Sequence, residues 1–488
     1  MTPSPHVAES QVPLARTAQG IIALFMRQIV IYPIALVGSI LLARLLHPSE
    51  FGIYAIASFV VMTVASFSDV GLGAAFIQRA EPPSLREQRT LFTCQSGVAI
   101  ALCALLYALA PQIVRFYSLE AGTTWVFRVL SLNLLLGTFA TIPAIRLERG
   151  LAYRQFAILD VINALIYQPL TIALAWFGYG VWSFVIAGVA CVLIRSLILY
   201  GLAPWPIGFA WDTSLLRESL KFGGFFQLSS LTALLRDNLV ALLAGPVFGP
   251  RAVGYLNWAH ATALLSGQIF TQLTSRVMFP SLSRLTEDPD SARRMIEKSL
   301  RYLMLGTLPI LGWLVVFMPE IVHYIYTDKW QAGIPAFYWY ALGMLGGHFT
   351  TVLDGALKAA GQVKRSLIIM TSWTAVDWLL AVVFIHLWGF YGVAIAHGLA
   401  VWLAAGLLVH ATKQRFAIDY RSSVLIPGGA AVPMTALLVL LRLSLPHHLV
   451  TALILGALGL GVYALLLWAM EGKALVADVK TMMALVRA

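Results

Sequence analysis

Charge is scarce in this chain. Asp, Glu, Lys and Arg make up 11% of 488 residues, against 59% hydrophobic residues and a mean hydropathy of +0.82. That balance excludes a water-soluble domain, whose surface needs about a quarter of its residues charged. Cysteine is nearly absent too. Cys94, Cys103 and Cys191 each fall inside an apolar run, so neither a disulfide framework nor a metal spacing is present and they read as small buried hydrophobes. Long polar loops are missing: the longest is about 20 residues, too short for a folded domain outside the membrane. Catalytic signatures are missing as well, with no G-x-S-x-G, H-E-x-x-H or Walker A loop. The chain therefore reads as a non-enzyme without a cofactor, and an ATP-driven pump would need a separate subunit. Asp288 and Asp290 spell the D-x-D of metal-dependent glycosyltransferases, but Pro289 between them predicts a turn and helix cap.

What is present is a succession of apolar stretches. Lipid forces a spanning segment to satisfy its backbone internally, so runs of about 20 apolar residues must be helices. The predicted spans are 21–46, 52–77, 91–115, 124–145, 157–177, 180–202, 220–246, 253–278, 300–325, 335–358, 365–388, 391–411, 422–443 and 448–470. The fold class is all-α polytopic membrane protein with about 14 transmembrane helices. The first twenty residues are polar, carry only Arg16 as a cation and lack a small-residue cleavage pattern, so the first run reads as a retained span. With both termini in the cytoplasm, most Lys and Arg fall on the inner side. Only Arg44, Arg115, Arg128, Arg251, Lys329 and Arg442 fall outside, as short-loop charge bias requires. This distribution accounts for the net charge of +11 without a nucleic-acid partner.

One corner is written twice. LLARLLHPSEFGIYAIA at 41–57 and LLAGPVFGPRAVGYLNWA at 242–259 share an apolar run, turn, glycine, tyrosine and restart. A second pair, FGYGVW at 177–182 and GFYGVA at 389–394, lies at nearly the same separation. Six helices separate the copies, so both enter the membrane in the same sense. This predicts a parallel repeat: two six-helix bundles, 1–209 and 210–412, followed by two C-terminal helices and a cytoplasmic tail in 413–488. Paired bundles are the architecture of alternating access.

Charges inside spans are expensive and mark sites or interhelical pairs. Arg236 and Asp237 stand deep in span 7 and point about 100° apart, so they serve either a lumen or an interhelical pair. Arg27, with Gln28 beside it and Pro33 beyond, either lines a cavity or snorkels to the headgroups. Asp69 and Asp377 have short side chains and are candidates for a lumen or coupling site. Asp160, Asp354 and Arg195 lie near inner span ends, where interface pairs are expected, Asp354 with Lys358 at i+4. His260, His348, His386 and His397 share no spacing and read as helix-contact donors, not metal ligands or proton relays. Gly343 and Gly347 form a G-x-x-x-G step for close helix contact, with GLGAA at 71–75 similar. Trp125, Trp176, Trp182, Trp205, Trp211, Trp330, Trp388 and Trp468 fit an interfacial belt. The segment 286–302 predicts a short amphipathic helix on the cytoplasmic surface.

The run LLHPSEFGIYAIASFVVMTVASFSDVGLGAAFIQR at 45–79 resembles the signature of bacterial polysaccharide flippases, the polysaccharide transporter family of the multidrug, oligosaccharidyl-lipid and polysaccharide exporter superfamily. The likeness is nearest to the colanic-acid type exporters. RDNLVALLAGPVFGPRAVGYLNWA at 236–259, VMFPSLSRLTEDP at 277–289 and YGVWSFVIAG at 179–188 are similar to landmarks of that family. The resemblance implies translocation of undecaprenyl-diphosphate-linked oligosaccharide units across the inner membrane, for lipopolysaccharide or exopolysaccharide biosynthesis. It implies as partners the lipid-linked substrate and membrane lipids, with a polysaccharide polymerase and export machinery downstream. A cation-coupled small-molecule exporter and a membrane-embedded glycan polymerase or glycosyltransferase are the alternatives. Under the flippase reading Arg27 and Arg236 would attract the diphosphate or acidic sugars, with Gln28 beside Arg27 in the substrate-binding cavity, while Asp69, Asp237 and Asp377 would line the lumen or couple to an ion.

Overall fold

The computed structural model describes residues 27–28, 30–69, 76, 83–214, 234, 238–272, 274, 282, 288–413, 415–446 and 448–472. Among these residues there are helices and connecting turns but no strand. In chain order the long helices are α1 (Val30–Leu45), α2 (Pro48–Asp69), α3 (Leu85–Phe116), α4 (Thr124–Arg149), α5 (Tyr153–Trp176), α6 (Trp182–Leu202), α7 (Gly245–Leu265), α8 (Pro289–Ile321), α9 (Ile334–Ala359), α10 (Val363–Trp388), α11 (Tyr391–Lys413), α12 (Ile426–Ser444) and α13 (Leu449–Glu471). Ten helical segments among the described residues are long and apolar enough to cross a bilayer, so the chain is a multi-pass membrane protein. The expected spans from 91–115 to 180–202 and from 300–325 to 448–470 each coincide with a helix.

Local chemistry explains the helix ends. Ser84 caps α3 in a reciprocal box: its hydroxyl accepts from the Glu87 N–H, and the Glu87 carboxylate accepts from the Ser84 N–H at 2.7 Å. Asp288 caps α8 with Pro289 in the first turn, which is the turn-and-cap reading of the D-x-D. Hydrogen bonds from Ser291 and from the Asp290 N–H hold its carboxyl below the ordinary range. At the second glycine corner Gly178 and Gly180 adopt φ of 81° and 55°, and Gly389 adopts 61°, conformations that favour glycine.

The chain divides into two compact units, residues 1–254 and 255–488. In the first, α4 packs along α3 and α6, and α5 packs on α6. The two copies of the repeated corner meet here. A Cβ at Gly52 would stand 1.7 Å from the Pro250 carbonyl oxygen, and one at Gly254 would stand 1.9 Å from the Pro48 carbonyl oxygen. The contact is reciprocal, with the same two positions of each copy touching. Glycine lets the two backbones approach this closely.

In the second unit α11 is the central helix, packed along both α9 and α10, while α8 carries α12 and α13. Gly343 of α9 touches Gly398 of α11. Its close-packed companion is Gly346, against Val401 and Trp402, whereas Gly347 faces open space. The expected four-residue glycine step is therefore replaced by a three-residue one, Gly343 and Gly346. The described part of the predicted 286–302 helix, from Asp288 on, is likewise no separate surface helix. It is the first part of the continuous 33-residue α8, and Ile296 and Leu300 are fully buried in the core of this unit. Trp205 and Trp330 depart from the interfacial belt as well: Trp205 packs edge-on against Phe92, and Trp330 against Tyr255 and Trp258. Trp205 lies on the segment after α6 and Trp330 on the short turn of helix before α9, and both are buried, whereas Trp125, Trp176, Trp211, Trp388 and Trp468 are exposed. GLGAA lies outside the described residues.

Two ion pairs tie the C-terminal helices to α8. Arg301 binds Glu471 with two nitrogens and the Ser422 carbonyl at 2.8 Å. Nineteen residues along the same helix, about 28 Å, Glu320 pairs with Arg442 at 2.7 Å.

Candidate functional site

Arg27 and Gln28 are helical and lead into α1. Opposite them, α5 presents Asp160, Asn163, Tyr167 and Gln168 at spacings of three, four and one, which put all four along one stripe of the helix. Gly38 of α1 makes the approach possible, since a Cβ there would lie 2.2 Å from Gln168 Oε1. Between α1 and α5 lies a cavity of about 330 Å³, lined by Arg27, Gln28, Asp160, Asn163 and Gln168 together with apolar neighbours.

Asp160 is the electrostatic centre. One oxygen pairs with Arg27, and the other accepts from Arg195 of α6 at 2.8 Å. Two guanidiniums share one carboxylate, so the cluster holds one more positive charge than negative. The Arg27 side chain is 19% exposed, and its Nε is buried without a hydrogen-bond partner among the described residues. A guanidinium that lines the cavity and gives only part of its fork to Asp160 is a fit for a phosphate oxygen.

The interface pairing expected near the inner span ends is present for Asp354, which binds Lys358 at 2.6 Å and also accepts from Ser366. For Asp160 and Arg195 the pairing recruits Arg27, so this arginine engages a carboxylate and does not snorkel. Of the six candidate residues, Arg27 and Gln28 share this cavity. Arg236 and Asp237 lie outside the described residues. Asp69 is the last residue of α2, and its side chain is likewise outside them.

Asp377 belongs to a different cluster, within the second unit. It is 2% exposed and hydrogen-bonds His397 Nδ1 at 3.1 Å. His260 meets that imidazole edge-on and Tyr340 meets it at a tilt, with ring centroids 5.7 and 5.6 Å away. Sequence spacing missed this group because its members stand on four helices. The signal available was the count of titratable residues within apolar runs, not their separation. His348, by contrast, is a helix-contact residue: its Nε2 lies 2.8 Å from the Thr307 hydroxyl. Among the described residues no group of three His, Cys, Asp or Glu is spaced to hold a metal ion.

The profile of the family described as "Polysaccharide biosynthesis protein" matches residues 41–335 of this chain. The lipopolysaccharide biosynthesis protein WzxC of Escherichia coli (strain K12) is 22% identical over 314 residues, 63% of this chain and 62% of WzxC. An uncharacterized membrane protein in the cps region of Klebsiella pneumoniae is 24% identical over 458 residues, 90% of this chain and 92% of that one. Among solved structures, the lipid II flippase MurJ in an inward closed conformation superimposes with a TM-score of 0.74. It is 15% identical and covers 93% of this chain and 99% of its own. That likeness establishes the fold.

Proposed function

The chain belongs to the polysaccharide biosynthesis protein family, and from that premise we propose that it is a flippase. Its substrate would be an undecaprenyl-diphosphate-linked oligosaccharide, moved across the inner membrane by alternating access for lipopolysaccharide or exopolysaccharide assembly. A glycan and a diphosphate cannot enter hydrocarbon without polar partners, so such a protein needs a hydrated, cationic recess open to lipid. The observation that carries the reading is the Arg27–Asp160–Arg195 cluster: a net positive charge beside a cavity of about 330 Å³. Arg27 would meet the diphosphate, while Asp160 keeps both guanidiniums oriented when the cavity is empty. The remaining parts of the proposal are two six-helix bundles over 1–209 and 210–412, spans 13 and 14 in 413–488, and cytoplasmic termini. The names of the relatives, lipopolysaccharide biosynthesis for WzxC and lipid II flipping for MurJ, support the same class of cargo.

The test is the leaflet distribution of lipid-linked sugars in a deletion strain. Intact units stranded on the cytoplasmic leaflet, and released by the wild-type protein, are the expected result. Arg27→Ala should cut release by about tenfold or more, since a charge-assisted hydrogen bond contributes about 1.5–3 kcal/mol. Arg27→Lys should recover little, because an ammonium lacks the fork. Units that reach the outer leaflet normally in the deletion strain would instead favour a small-molecule exporter. Absence of the units would favour an enzyme that makes them.

A further inference from the structure

The first unit holds a second cavity, of about 210 Å³, lined from α2, α3 and α4. Asn133, Gly137 and Thr141 of α4 border it and recur every fourth residue, so they form one stripe of that helix. The stripe begins about 14 Å from one end of α4 and stops about 12 Å from the other, which places it in the middle of a membrane span. A Cβ on Gly137 would meet nothing within 4 Å, so this glycine widens the cavity at the centre of the stripe. Gln95 of α3, 4% exposed, brings a second carboxamide. At this depth a polar lining costs free energy unless something pairs with it, and the helices pair with it incompletely. The carboxamide oxygen of Asn133 is buried without a hydrogen-bond partner among the described residues. The Thr138 and Thr141 hydroxyls donate to the carbonyls of Leu135 and Gly137, at 2.8 and 3.4 Å, so their protons are committed and their oxygens can still accept. No charged side chain lines the cavity among the described residues, in contrast to the one between α1 and α5, which Arg27 and Asp160 border.

We infer that this cavity is a subsite for one neutral sugar ring, with Asn133 as its specificity-determining residue and Gln95, Thr138 and Thr141 as further partners of the ring's polar groups. Neutral amides and hydroxyls cannot offset the charge of a phosphate. They do match hydroxyl and acetamido groups, which both donate and accept. Leu134 and Ala65 give the cavity an apolar side, which suits the C–H face of a sugar. The volume lies below the roughly 300–1,000 Å³ of pockets that hold drug-sized molecules and limits the occupant to a single ring. A ring hydroxyl entering the cavity gives the Asn133 carboxamide, after rotation about its terminal bond, the partner that the helices do not supply. The inference rests on the flippase reading above. The diphosphate of the cargo goes to Arg27, its glycan is read between α2, α3 and α4, and the protein thereby selects among carriers by sugar.

The first arm of the test needs no carrier lipid. Saturation-transfer NMR on the full-length purified protein, with methyl glycosides of neutral hexoses, 6-deoxyhexoses and N-acetylhexosamines as probes, should show at least one of them bound. Asn133→Leu should weaken that binding by about tenfold, the worth of one or two net hydrogen bonds, while Arg27→Ala should leave it within about twofold. The melting temperature of Asn133→Leu should be no lower than wild type, because the Asn133 oxygen has no protein partner to lose; an amide with a structural role would lower it. Should that variant melt early, Thr138→Val decides, since it keeps the shape, removes the acceptor and should weaken the same glycoside by about fivefold. A protein that binds no glycoside, or binding that neither variant weakens, would overturn the subsite.

The second arm uses proteoliposomes and two probes, undecaprenyl diphosphate bare and bearing the one sugar that binds. The wild-type protein should move the glycosylated probe about tenfold faster than the bare one, because a site built to hydrogen-bond a group discriminates against a ligand that lacks it. In Asn133→Leu the ratio of the two rates should fall toward one. In Arg27→Ala both rates should fall and their ratio persist. A ratio that Asn133→Leu leaves at its wild-type value would overturn the selection by sugar. A wild-type protein that moves neither probe, yet binds the glycoside, would sink the flippase reading and leave the sugar site standing.

Discussion

Replacing Gly254 with alanine is expected to destabilise the purified protein by about 3 kcal/mol, the upper end of the usual range for overpacking. The new methyl would sit 1.9 Å from the carbonyl oxygen of Pro48 and 2.7 Å from its carbonyl carbon. Backbone cannot rotate out of the way as a side chain can, so the two segments must separate. Gly52→Ala should act alike, because its methyl would meet the Pro250 carbonyl at 1.7 Å. The double variant should cost less than the sum of the two, since one separation relieves both clashes. Thermal unfolding in detergent measures all three. Gly97→Ala is the control: nothing lies within 4 Å of its added methyl, and helix propensity alone predicts a gain of up to about 1 kcal/mol. A Gly254→Ala protein as stable as Gly97→Ala would refute the crossing.

Arg301→Ala is expected to cost about 3–5 kcal/mol, because it leaves Glu471 buried and unpaired. The two side chains are 9% and 11% exposed, so solvent screens the pair little. The protein should melt earlier, and α12 and α13 should become the first segments cut by protease. Arg301→Lys should recover only part of the loss, since an ammonium cannot meet both carboxylate oxygens and the Ser422 carbonyl in one plane. Arg301→Met combined with Glu471→Leu should restore much of it, because removing both charges removes the desolvation penalty. A double variant as unstable as Arg301→Ala would show that the ion pair is not what holds these helices to α8.

The helices were legible because lipid leaves the backbone no alternative, and hydropathy alone marks where they run. The corners were legible for a related reason: Gly180, Gly249 and Gly389 adopt positive φ, and a residue with that freedom stands out in an apolar sequence. The partners of charged residues were another matter. Asp160 and Arg27 are 133 positions apart, Arg301 and Glu471 are 170, and no local spacing encodes such pairs. The roles of Trp205 and Trp330 were hidden for the same reason, since a tryptophan at a span end looks alike whether it faces headgroups or a neighbouring helix.

The sequence by itself determined that the chain lives in a membrane, that its described spans are helical, and that one corner is used twice. Each of these follows from composition or periodicity, which act residue by residue. Only the tertiary structure decided that the two corners grip each other through Gly52 and Gly254, that two arginines share Asp160 beside a cavity, and that Asp377 meets His397. Those contacts depend on which faces of distant helices turn toward one another. In a bilayer that choice is made by close packing and by the need to pair each buried charge.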